Sequence, residues 1–210
     1  MDIGIIGAGH IGATAAKLFT QAGHRVTIGN SRGPASLQEL VAELGDAASA
    51  AEVAEVADGA DLVLIAIPLR ACRDLPAEPF SGTIVVDAMN YYPSRDGQIS
   101  ELDSDHVTSS ELLARHLPDA RVVKAFNTMY WQTLRDRGRP DLPRERRLSI
   151  FVAGDDQEAV GVVAELVDQL GFAAVITGDL TKGGRLQQPG GSVYVTELTP
   201  PQAAAVLAEG

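Results

Sequence analysis

The segment Gly7-Ala8-Gly9-His10-Ile11-Gly12 joins two stretches of different hydrophobic period. Upstream, Ile3 to Ile6 is a short apolar run of strand type. Downstream, Ile11, Ala15, Leu18, Phe19 and Ala22 mark one helical face, closed by Gly23 as a C-terminal cap. Glycines at these three positions, between a strand and a helix, have a specific physical use. Gly7 permits the tight turn, Gly9 lets backbone approach a pyrophosphate, and Gly12 lets the helix pack close to the sheet. The helix then presents free N–H groups and the positive end of its dipole to phosphates. Ala8, His10 and Ile11 complete the cradle. His10 is accounted for by its place in the turn, without a catalytic role.

Beyond this loop, short apolar runs alternate with helical patterns. Strands are expected at Val26 to Ile28, Leu62 to Ile67, Thr83 to Asp87, Val122 to Phe126, Leu148 to Val152 and Phe172 to Thr177, with a short element near Ala47 to Ala50. Helices are expected at Leu37 to Leu44, around Glu52 to Ala57, through the face carrying Val160, Val163, Val167 and Leu170, and at Pro201 to Ala208. Strands separated by helices imply right-handed βαβ units. The fold class is therefore α/β, a Rossmann-type doubly wound and mainly parallel sheet of about seven or eight strands. Residues 1–178 form the dinucleotide-binding domain, and residues 179–210 a small, glycine-rich C-terminal extension.

The chain has 210 residues and a formal net charge of −11. Such a field disfavours nucleic acid and anionic membrane as partners, and an anionic cofactor must be held by local positive groups. The single cysteine, Cys72, excludes an internal disulfide and reads as a buried, inert thiol in a reducing compartment. No basic, apolar targeting segment precedes the first strand, and no apolar run approaches a membrane span, so a cytoplasmic protein is expected. No ligand cluster for a metal stands out.

The second strand ends in Gly29-Asn30-Ser31-Arg32. An NAD-selective domain places an acid about 20 residues beyond the glycine loop, to bind the ribose 2′-hydroxyl. Here there is none. A serine hydroxyl and a guanidinium suit a 2′-phosphate, so Asn30, Ser31 and Arg32 are assigned to it, and the cofactor is NADP(H). In open parallel sheets ligands bind beyond the carboxyl ends of the strands. Those ends read Ile67-Pro68-Leu69, Ala88-Met89-Asn90-Tyr91 and Phe126-Asn127-Thr128-Met129. The first two are expected to touch ribose and nicotinamide. Asn127, Thr128 and Met129 are the candidates for the second substrate, although Asn90 and Asn127 also suit turns. Tyr91, Tyr92 and Lys124 are candidate proton donors, with packing as the commoner role of the tyrosines. Leu134 to Arg147 holds six arginines and three acids. This segment is either a solvated connection or a patch that steers an anionic ligand tail.

Several of these segments, with Val122-Val123-Lys124-Ala125-Phe126-Asn127-Thr128, Val152-Ala153-Gly154-Asp155-Asp156 and Thr177-Gly178-Asp179-Leu180, resemble the NADP oxidoreductases that depend on the deazaflavin coenzyme F-420. They are also similar to the cytosolic oxidoreductase domain of the six-transmembrane metalloreductases. The resemblance spans nearly the whole chain. It implies hydride transfer between NADPH and a flavin-like ring, with Ile67, Pro68, Asn127, Thr128 and Met129 matching nicotinamide and ring contacts. Asn127, where the deazaflavin enzymes are expected to carry histidine, lies nearer the metalloreductase branch. The resemblance also implies a homodimer with residues 178–210 in or near the contact. Two other functions are compatible with the residues: a carbonyl or imine reductase of a small substrate, and a dinucleotide-sensing module without turnover. The first usually relies on a large helical domain, and only 32 residues follow Gly178.

Overall fold

Residues 62–65 (Leu-Val-Leu-Ile) and 84–87 (Ile-Val-Val-Asp) are buried at every position, as strands covered on both faces must be. They form the middle of a single sheet in the computed structural model, which describes residues 1–209. The strands are β1 (Asp2–Ile6), β2 (Arg25–Gly29), β3 (Ala48–Ala50), β4 (Leu62–Ile65), β5 (Ile84–Asp87), β6 (Arg121–Lys124), β7 (Ser149–Gly154) and β8 (Ala173–Gly178). Between and after them lie helices α1 (His10–Gln21), α2 (Gln38–Leu44), α3 (Pro93–Asp96), α4 (Ser100–Asp103), α5 (Ser109–His116), α6 (Trp131–Asp136), α7 (Gln157–Gln169), α8 (Lys182–Leu186) and α9 (Pro200–Ala208). The strand order is β3-β2-β1-β4-β5-β6-β7-β8. This is the doubly wound α/β architecture expected.

The first six strands run parallel, so β1, β2, β4, β5 and β6 end along one edge. β7 pairs antiparallel with β6, Lys124 opposite Ala153, and β8 runs parallel to β7. The last two strands are therefore reversed relative to the rest. Two large cores cover the two faces. One gathers Phe19 of α1, Phe126, Val163 and Val167 of α7, and Phe172. The other gathers Val56, Leu69, Phe80, Leu113 of α5 and Leu180. Residues 179–209 pack on the main sheet rather than apart from it. Val193 and Ala203 join Phe151 in a small cluster, and the Ser149 N–H donates to the Leu198 carbonyl at 2.7 Å.

Several boundaries differ from the sequence pattern, each for a local reason. The helix expected around Glu52 to Ala57 is a single 3-10 turn, Val53–Glu55, closed by a capping box between Glu52 and Glu55. It tucks Val56 under the sheet, where a Cβ on Gly4 would lie 2.6 Å from the Val56 carbonyl oxygen. β4 stops at Ile65, and β6 stops at Lys124 because Phe126 turns to φ 64°, a left-handed conformation that no strand continues through. The Gly154-Asp155-Asp156 segment is a structural staple. Asp156 caps α7 by accepting from the N–H groups of Glu158 and Ala159, and it pairs with Arg121 at 2.6 Å. That guanidinium, above all, holds the Asp156 carboxyl well below its usual range. Asp155 accepts from the Leu180 N–H at 3.1 Å and so ties β7 to the C-terminal segment.

Candidate dinucleotide and redox site

β1 lies between β2 and β4, so the chain crosses to opposite sides of the sheet on leaving β1 and β3. That switch point is where an open α/β sheet leaves a crevice. Here it holds a cleft of about 510 Å³. Gly7, Ala8, Gly9, Asn30, Ser31, Arg32, Ile67 and Pro68 all line it. Three of the four sequence segments assigned to the cofactor thus contribute to one cavity; Leu69, Met89 and Asn90 do not line it.

The glycines divide the work as the spacing predicts. Gly7 sits at φ 106°, and a Cβ there would lie 2.4 Å from the Ala66 carbonyl oxygen. A Cβ on Gly12 would lie 1.8 Å from the Gly7 carbonyl oxygen, so the third glycine lets α1 seat against the loop. Around Gly9, by contrast, a Cβ would meet nothing within 4 Å. Its flank is open to a ligand. No side chain caps the N-terminus of α1, which leaves its first N–H groups for an anion.

At the other end of the cleft, Asn30 shapes the loop and does not reach out. It is buried, its Oδ1 accepts from the Arg32 N–H at 2.8 Å, and its Nδ2 donates to Ser36 Oγ at 3.1 Å. Ser31 and Arg32 are exposed on the cleft. Among the described residues no acid pairs with the Arg32 guanidinium, whereas eight other arginines are held by carboxylates. An open cradle at Gly9 and a free guanidinium at the end of β2 fit a phosphorylated dinucleotide.

The remaining candidates are distributed less simply. Ile11 is half-buried against the α1-side core, and His10 is exposed, its ring stacked on Trp131 at 4.7 Å. Leu69 and Met89 turn their side chains into the α5-side core, each 2% exposed. Asn90 and Asn127 meet: Asn127 Nδ2 donates to Asn90 Oδ1 at 3.1 Å and to the Gln187 carbonyl at 2.7 Å, and Asn90 Nδ2 donates to the Asn127 carbonyl at 2.9 Å. Asn127 Oδ1 and Gln187 Oε1 are buried acceptors with no partner. Thr128 and Met129 are buried, and both border a small pocket with Tyr130, Val195 and Thr196.

Of the candidate proton donors, Lys124 is fully buried. Its Nζ donates to Asp87 at 3.1 Å and to the Met89 carbonyl, while Asp87 also accepts from Ser110 Oγ and the Met89 N–H. Burial pushes the ammonium pKa down, against the pull of Asp87. Lys124 holds up the turn that carries Asn90 and does not face the cleft. The Tyr91 hydroxyl is committed to Asp103, the Gly97 carbonyl and the Ile99 N–H. The Tyr92 hydroxyl pairs with that of Tyr194. Burial pushes the Cys72 thiol up to about 11, as suits an inert core cysteine.

Five of the six arginines of the 134–147 segment are engaged within the protein. Arg135 pairs with Asp136, Arg137 with Glu197 and Arg144 with Asp168. Arg139 and Arg147 donate to backbone carbonyls of their own loop. These side chains stitch a connection together, which favours the structural alternative. Sequence reasoning missed Trp131, Gln187 and Tyr194. The last two approach the site from the C-terminal segment, and no local pattern marks them. Among the described residues no group of three or more His, Cys, Asp or Glu side chains is placed to hold a metal, and no helix is long and apolar enough to cross a membrane.

A family model described as NADP oxidoreductase, coenzyme F-420-dependent, matches residues 2–91. A hypothetical protein of Sinorhizobium meliloti is 33% identical, superposes with a TM-score of 0.81, and is matched over 95% of each chain. A protein of Arthrobacter sp. FB24 with a suggested role as an F-420-dependent NADP reductase is 32% identical, with a TM-score of 0.71 over 86% of each chain. The curated Metalloreductase STEAP3 of Rattus norvegicus is 26% identical over 187 residues, 88% of this chain. The chain spans about a third of that protein's length, 35%.

Proposed function

This chain belongs to the family of coenzyme F-420-dependent NADP oxidoreductases, and on that premise we propose that it transfers hydride between NADP(H) and a flavin-like ring, either deazaflavin F-420 or a flavin. The observation that carries the reading is the pairing of an open cradle at Gly9 with the unpaired Arg32 guanidinium in one cleft.

Each part of the chain has a definable task. The Gly7–Gly9 backbone and the α1 N-terminus receive the pyrophosphate. Ser31 and Arg32 hold the 2′-phosphate, the guanidinium by charge-assisted hydrogen bonds. Ile67 and Pro68 form the apolar wall at the end of β4, where the ribose and nicotinamide would lie. The Asn90–Asn127–Gln187 lock keeps the floor of the acceptor end rigid. Bound NADPH supplies the hydride, and the protein contributes mainly by positioning two rings face to face.

Two measurements test this. The first concerns the cofactor. NADPH is expected to bind more tightly than NADH by at least tenfold, about 1.4 kcal/mol. Arg32→Ala should remove most of that gap by weakening NADPH alone. Fluorescence titration of both cofactors checks it, and equal affinities in the wild type would sink the assignment. The second concerns the acceptor. The protein is mixed with NADPH and, separately, coenzyme F-420, FMN, riboflavin and a small ketone with and without amine. Oxidation of NADPH by a ring acceptor is the expected result. Turnover of the ketone mixtures alone would replace the reading with a carbonyl or imine reductase, and no turnover at all would favour a sensing module.

A further inference from the structure

Hydride transfer to a ring of this kind leaves the acceptor one proton short of its neutral reduced form. With the Lys124 ammonium buried against Asp87 and the Tyr91 hydroxyl held by three partners, Tyr92 is the remaining candidate donor, its hydroxyl meeting one other hydroxyl. Tyr92 follows Asn90 by two residues, and its hydroxyl is hydrogen-bonded to that of Tyr194, which lies 102 positions away in the C-terminal segment. Both tyrosines are only half-buried. The charged and titratable groups around the pair are few. Arg95 lies over the Tyr92 ring at 4.9 Å and donates to the Asn90 carbonyl, Asp96 accepts from the Tyr92 N–H and pairs with Arg95, and the exposed Tyr130 adds a third phenol. The backbone is strained on both sides of this corner. Val195, next to Tyr194, sits at φ 52°, and Phe126, next to Asn127, at φ 64°. Left-handed backbone at a β-branched or bulky residue is held only where the surroundings impose it, and it concentrates at functional sites.

We propose that Tyr92 is the proton donor to the reduced acceptor and that the Tyr194 hydroxyl holds the phenolate left behind, an inference that rests on the ring-to-ring transfer proposed above. The Tyr92 O–H bond breaks, an N–H or O–H bond forms on the ring that has received the hydride, and solvent returns the proton to Tyr92. NADPH, the oxidised ring and one proton become NADP⁺ and the neutral dihydro ring. The two phenols are suited to unequal roles. Burial and the hydrogen bond to Tyr92 push Tyr194 well above the ordinary tyrosine range, so it keeps its proton and donates.

The test uses Tyr92→Phe and Tyr194→Phe in the full chain. Tyr92→Phe is expected to lower kcat for the ring acceptor about 100-fold, with KM and NADPH affinity little changed. Tyr194→Phe should lower kcat about tenfold and displace the limb of the pH profile that reports the donor. A second readout needs no acceptor. In an alkaline near-ultraviolet titration of the free protein, Tyr92→Phe should let Tyr194 ionise at lower pH. If wild type turns over a ring acceptor and Tyr92→Phe keeps its kcat and pH profile, the proton role is overturned while the hydride reading stands. If the wild type turns over no ring acceptor, both fall. A change confined to the thermal midpoint would reduce the pair to a clasp on the C-terminal segment.

Discussion

A valine at position 9 should leave this protein folded and almost unable to bind a dinucleotide, whereas an alanine at position 12 should do the reverse. Gly9 has φ −75°, which any residue accepts, and a Cβ there meets no protein atom within 4 Å. The empty space matters only if a phosphate fills it. Gly9→Val is thus expected to keep the wild-type thermal midpoint and to weaken NADPH binding at least about 100-fold, or 2.7 kcal/mol. At Gly12 the obstacle is backbone, the Gly7 carbonyl oxygen at 1.8 Å. It cannot move without prising α1 from the loop, so Gly12→Ala should destabilise by about 3 kcal/mol or more. Calorimetry and cofactor titration of the two variants separate the effects. Normal NADPH binding by Gly9→Val would mean that the phosphates lie elsewhere.

The other large effect is expected from the buried ion pair that joins β5 to β6. Lys124 and Asp87 are both 0% exposed, on neighbouring strands β6 and β5. Removing one partner of such a pair strands a buried charge, and Lys124→Met should cost about 3–5 kcal/mol. Replacing both, as Lys124→Met with Asp87→Leu, should recover a good part of that, because an apolar pair needs no compensation. Recovery of stability need not restore function. Lys124 also donates to the Met89 carbonyl, and without it the turn carrying Asn90 loses a support. Denaturant unfolding of the single and double variants, read beside acceptor turnover, tests both halves. A single variant as stable as wild type would show that the charge finds solvent.

What the sequence made legible was local. The glycine loop, the acid-free end of β2 and the strand ends at 67, 90 and 127 depend on near neighbours in the chain; the structure brings the first two and Ile67 to one cleft, and joins Asn90 to Asn127 by hydrogen bonds. Side-chain direction was harder. Leu69 and Met89 stand at strand ends, yet their side chains turn into the core, because position along an edge does not fix which way a residue faces. The reversal of β7 and β8 was hidden as well, since an apolar run reads the same in either direction. The structural role of Lys124 was hidden because its partner lies 37 positions away, and the Tyr92–Tyr194 pair spans a still longer separation. The arginine-rich segment misleads in the opposite sense. Its positive composition is plain, but the acids that engage it, such as Asp168 and Glu197, lie outside it.

The reversed pair of strands has one further consequence. After β8 the chain doubles back through α8 and delivers Gln187 and Tyr194 beside Asn127 and Tyr92. The two pockets are thus written in separate stretches of sequence. The cleft that holds Gly9 and Arg32 is lined by residues 6–75, while the small pocket beside Thr128 and Met129 is a joint product of the middle of the chain and its last quarter. Such an arrangement lets one pocket drift while the other stays fixed. On the proposed reading, changes in residues 187–197 would retune what is reduced without disturbing what does the reducing.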